Sequence, residues 1–145
     1  MTERDADNAR KLLTGAQVFA ATSRDGFIMQ YPTLRQIGAE EWNASLVIAG
    51  TGTALLMIPA RYTHEQQKEL TATVITTLQE ADETAVQKLA DFINFVTSQS
   101  EDPDRVAEVI GSWVLRGIPM EPSEHSAPQV LGLVLLNTFG PWWDQ

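Results

Sequence analysis

The chain has no cysteine among its 145 residues and only two histidines, His64 and His125. The first absence removes disulfides, thiolate metal sites, iron–sulfur clusters and cysteine nucleophiles from consideration. The second leaves too few imidazoles for a histidine-rich metal centre. His64-Glu65 has the beginning of a zinc-protease helix, yet the second histidine that this motif needs four residues on is Lys68. A site built from carboxylate oxygens stays open, but no cofactor or metal is expected.

Basic residues are scarce where acids are abundant. Residues 1–62 hold six acids and six bases, whereas residues 63–145 hold thirteen acids and only Lys68, Lys88, Arg105 and Arg116. The whole net charge of −9 therefore belongs to the second part of the chain. Such a field repels phosphate backbones and anionic lipid heads, and no basic stripe is present to bind DNA or RNA. An acidic surface serves solubility, and it also steers a basic protein partner.

No cationic segment leads into an apolar run before residue 40, which predicts a cytoplasmic chain. Internal repeats and low-complexity tracts are missing as well, so residues 1–145 are expected to form one domain. Gly50-Thr51-Gly52 suggests half of a phosphate-binding turn, but position 55 is leucine where a dinucleotide fingerprint needs glycine, and no Gly-Lys-Ser/Thr follows. No glycine-flanked serine forms a nucleophile elbow, because Ser112 in Gly111-Ser112-Trp113 falls inside a helical pattern. Asn43-Ala44-Ser45 matches a glycosylation acceptor, which has meaning only in a secreted protein.

What the chain does have is apolar material: hydrophobic residues make up 43% and charged residues 20%, a balance that builds a core rather than a disordered coil. The patterning predicts an all-α bundle of five to six helices. A first helix is expected over about residues 5–22, followed by a turn at Ser23-Arg24-Asp25-Gly26 and an extended, inward-packed stretch from Phe27 to Pro32. A short helical turn over Thr33 to Gly38 comes next. The uncharged segment Trp42 to Ala60 reads either as a buried helix or as a hairpin with strands 45–49 and 53–58 around the two glycines; the helix is favoured, and the hairpin would give an α+β fold.

Thr63-His64-Glu65-Gln66 matches a capping box and opens a helix to about residue 81, with Leu70, Val74, Ile75 and Leu78 on one face. Asp82 caps a helix over about 83–98 that buries Val86, Leu89, Ala90, Ile93 and Val96, leaving Phe92 on the flank and Phe95 half a turn away. Asp102-Pro103 starts a further helix ending before Gly117. The last helix, from about Ser126 to Phe139, has apolar residues around its whole circumference and is expected at the centre of the bundle or between subunits.

Two stretches, Trp42 to Ala60 and Ser126 to Trp143, are long enough without charge to prompt a membrane test. Their asparagines, threonines, glycines and prolines, and the lack of a flanking Lys or Arg pattern, argue against spanning. The acid pairs Glu40-Glu41, Glu80 with Asp82 and Glu83, and Glu101-Asp102 with Asp104 all sit at helix boundaries, where they complement the backbone dipole.

The excess of apolar and aromatic residues in the second half points to a non-enzymatic interaction protein such as an adaptor, an inhibitor or an immunity-like partner. Phe95, Leu115, Leu131, Leu135, Trp142 and Trp143 are its candidate contact residues, for a protein partner or a second copy. In the competing arrangement the Trp142-Trp143 tail folds back and plugs the end of the bundle. The alternative function is a small-molecule binder or enzyme subunit with an apolar pocket between helices, lined by Trp42, Met57, Phe92 and Trp113.

Overall fold

The computed structural model describes residues 2–144, and all of its regular structure is helical. Helix α1 spans Glu3–Gln30, α2 Ala39–Leu56, α3 His64–Ala81, α4 Glu83–Gln99, α5 Val106–Val114 and α6 Ala127–Phe139, with short 3-10 turns at Pro32–Gln36, Pro103–Arg105, Pro122–Glu124 and Gly140–Asp144. Among the described residues no helix is long and apolar enough to cross a membrane.

The centre of the bundle is α2. It packs on α1, α4, α5 and α6, and every residue from Ile48 to Ala54 is buried. Helical geometry at 45–56 settles the choice against the hairpin. Gly50 and Gly52 cost this helix about 2 kcal/mol together relative to alanine. They are tolerated because aromatic rings occupy the space a side chain would fill. A Cβ on Gly50 would lie 2.8 Å from the Phe139 ring, and one on Gly52 would lie 2.3 Å from the Phe92 ring.

Helix α1 does not stop at Ser23. It runs straight through Asp25-Gly26 to Gln30, where Tyr31-Pro32 ends it, so the expected turn and extended stretch are helix instead. Tertiary contacts override the local turn signal. Phe27 packs on Trp42 with ring centroids 5.7 Å apart, and the Arg24 guanidinium donates to the Ile37 carbonyl at 2.8 Å. Both contacts require a helical phase at 24–27. Gly26 itself is exposed, and a Cβ there would meet nothing within 4 Å. Gly26→Ala is therefore expected to stabilise the chain by about 0.5–1 kcal/mol, raising Tm by roughly 1–4 °C in a thermal melt. A lower Tm would show that residue 26 is not helical.

The capping box at Thr63 forms in both directions: Thr63 N–H donates to Gln66 Oε1 at 2.8 Å and Gln66 N–H donates to Thr63 Oγ1 at 3.1 Å. Asp82 caps α4 by accepting from Thr84 N–H at 2.9 Å and Thr84 Oγ1 at 2.8 Å. The buried face of α4 is rotated slightly from the expected one. It carries Ala85, Leu89, Phe92 and Val96, with Phe92 fully enclosed and Ala90 exposed.

Helices α5 and α6 form an antiparallel hairpin in which backbone touches backbone. A Cβ on Gly111 would fall 1.8 Å from the Pro128 carbonyl oxygen, and one on Gly132 would fall 1.6 Å from the Ala107 carbonyl oxygen. The connection turns at Gly117, whose φ of +80° suits glycine. It is tied down by the buried Glu124 carboxylate, which accepts from Thr33 N–H at 3.1 Å and from the Thr33 hydroxyl. Tyr31 and Ser126 add a hydroxyl–hydroxyl bond of 3.0 Å.

Candidate functional site

Most of the residues singled out for docking serve the chain's own core. Leu115, Leu131, Leu135 and Trp143 are each at most 4% exposed, and Phe95 is partly buried against the core cluster. Trp142 is partly buried too. The enclosure expected of the last helix is complete on one face only: Ala127, Leu131, Gly132, Leu135 and Phe139 point inward, while Leu133 remains 43% exposed.

The tail folds back. Trp143 Nε1–H donates to the Ala54 carbonyl at 2.7 Å, and Trp142 Nε1–H donates to the Asn8 carbonyl at 2.9 Å. The Trp142 ring lies where a side chain on Gly15 would be, within 2.5 Å of such a Cβ. Arg61 clamps the outside, donating to the Trp143 carbonyl at 2.6 Å and to Asp144 Oδ1 at 2.7 Å. Beside it the Tyr62 hydroxyl donates to Asp5 Oδ1. This bond, with Thr2 N–H, holds the Asp5 carboxyl below its usual range, while burial and then the Asp5 carboxylate push the Tyr62 phenol up.

Of the four residues expected to line an apolar pocket, only Phe92 and Trp113 are brought into contact. Phe92 and Trp113 touch edge to face at 5.1 Å, Trp42 packs on Phe27 and bonds the Ala20 carbonyl through its indole, and Met57 is 45% exposed at the end of α2.

Clefts lie at several other places on the surface, two of them side by side along one flank of α2. One cleft of about 350 Å³ sits between α1, α2 and the α3–α4 junction, with Leu13, Val47, Ile48 and Leu78 as apolar wall and Gln17 and Asn43 adding amides. A second, of about 290 Å³, continues beside the start of α2 and the end of α5, bounded by Ile37, Glu41, Val114 and Arg116. Ala44 and Lys88 line both. Periodicity could not announce these positions, because an open flank of a buried helix has no pattern of its own. The signal available was electrostatic, since Lys88 and Arg116 are two of the four bases in the acidic half.

The carboxylates behave as boundary residues. Asp82 is held below its usual range by the Thr84 hydroxyl and then by the Thr84 backbone N–H. The His125 ring lies 3.0 Å from the Pro122 carbonyl through Nδ1, and His64 occupies the exposed first turn of α3. Among the described residues no group of three or more His, Asp or Glu is placed to hold a metal ion.

Comparison with protein-family models, with curated proteins and with solved structures gives no match, so the fold and its surface alone bear on function.

Proposed function

We propose that the chain is a non-catalytic, acidic helical interaction module, working in the cytoplasm as an adaptor, inhibitor or immunity-like protein, and that it docks through the outward stripe of α6. One observation carries this reading. Ala127–Phe139 contains no charged side chain, yet the helix is open on one side, where Leu133 stands between partly buried Val130 and Val134.

A second copy is the occupant this stripe fits best. Two chains of net charge −9 repel each other over most of their surfaces, and a neutral helix face is where they can approach. Leu133 is also the middle residue of α6. In an antiparallel α6–α6 contact about a twofold axis the middle residue meets its own copy, as an isologous interface requires.

Sedimentation velocity over a wide concentration range tests this. The wild-type chain is expected to dimerise, more tightly at high salt because screening weakens the like-charge repulsion. Leu133→Glu is expected to remain monomeric with an unchanged helical signal. A basic partner would give the opposite salt dependence. A wild type that stays monomeric at every concentration, or a dimer indifferent to Leu133→Glu, would overturn the reading.

A further inference from the structure

The two clefts on the flank of α2 do not involve the α6 stripe, and their chemistry differs from it. The larger arm is walled by aliphatic side chains, and at its junction with the smaller one stands Lys88. Arg116 faces the smaller arm in a fixed orientation: its guanidinium stacks on the Trp113 ring at 4.0 Å and Nη1 donates to the Trp113 carbonyl at 2.7 Å. Neither cation belongs to an ion pair formed among the described residues, although acids outnumber bases by thirteen to four in this half of the chain. Of the two acids on the same walls, Asp82 is engaged as the cap of α4, and Glu41 sits in the first turn of α2, where the helix dipole favours its charge.

We propose that this double cleft binds a small amphiphilic carboxylate, with its aliphatic chain along Leu13, Val47 and Leu78 and its carboxylate on the Lys88 and Arg116 side. The larger arm, about 350 Å³, lies at the small end of the range for small-molecule sites, about 300–1,000 Å³, and the smaller, about 290 Å³, just below it. Two cations and two acids leave these walls with no net charge, so with Asp82 and Glu41 held at helix starts Lys88 and Arg116 can meet one carboxylate, and no surplus remains for a phosphate dianion. An aliphatic wall with one charged group near its end selects an apolar body with an acidic head, since a desolvated carboxylate needs a charged or hydrogen-bonding partner.

Isothermal titration of the intact chain with octanoate, beside its neutral counterpart octanol, tests the site. Octanoate is expected to bind saturably at one site and octanol more weakly. Lys88→Met keeps the aliphatic stem and is expected to weaken octanoate about fivefold, the size of an exposed charge pair, while leaving octanol unchanged. Ala44→Phe fills the junction of the two arms and is expected to abolish both. Lys88 and Ala44 are exposed, so the fold should survive, which a thermal melt checks. Leu133→Glu is expected to bind octanoate as the wild type does, which separates this site from the docking face. No saturable binding of octanoate, equal affinity for octanol, or affinity unchanged in either cleft variant would each refute the proposal.

Discussion

Replacing Gly132 with alanine is expected to cost the fold about 3 kcal/mol, a large part of the roughly 5–15 kcal/mol that holds a domain of this kind together. The reason is the nature of the obstacle. The added methyl would lie 1.6 Å from the Ala107 carbonyl oxygen, which is backbone and cannot rotate aside as a ring can. Relief comes only if α5 and α6 move apart, and that loosens Leu131, Leu135 and Ile110 together. The better helix propensity of alanine returns about 1 kcal/mol and does not offset this. Gly111→Ala is expected to act similarly through the Pro128 carbonyl oxygen, 1.8 Å from its new methyl. Because one displacement of α6 relieves both clashes, the double variant should lose less than the two single losses added. Urea denaturation at constant m measures each loss, with an expected fall in Tm of about 6–12 °C per single variant. A loss below 1 kcal/mol at both positions would mean that the two helices do not touch through their backbones.

Legibility of the sequence divides by range. Local devices could be read directly: the Thr63–Gln66 box and the Asp82 cap depend on residues a few positions apart, and both form. The face of α3 followed from apolar spacing, and that of α4 only up to a small rotation, which encloses Phe92 and exposes Ala90. Failure began where distant partners decide. Asp25-Gly26 carries a true turn preference, but Trp42 on another helix holds Phe27 in helical phase, and nothing near residue 26 announces that. The glycines show the same division. Those at 50 and 52 read as helix weaknesses until Phe139 and Phe92 are seen occupying the space beside them, and nothing near 111 or 132 announces the close approach of Pro128 and Ala107. The site suffered most, because tryptophan and leucine look alike to pattern reading whether they face a partner or the chain's own interior. Leu131 and Leu135 look from spacing just like Leu133, and only the positions of the helices packed on α6, namely α5 and α2, separate the two buried residues from the exposed one.

Trp143→Ala is expected to destabilise the chain by about 3–5 kcal/mol, as removal of a fully enclosed aromatic does. The ring is 2% exposed and seals the end of the bundle beside Ala54. Trp143→Phe separates the two parts of that effect. It keeps most of the packing and removes the indole donor, so it should cost about 1 kcal/mol, because Ala54 O retains its bond from Met57 N–H. Trp142, only partly buried, should give a smaller loss on truncation. The series also decides between the two roles open to this tail. A docking tail would lose partner affinity and keep its melting temperature when Trp143 is truncated, whereas a plug loses stability and drags any binding down only through unfolding. A Trp143→Ala chain that denatures within 1 kcal/mol of wild type would show that the tail is not seated on α2, and the docking role of the indoles would be open again.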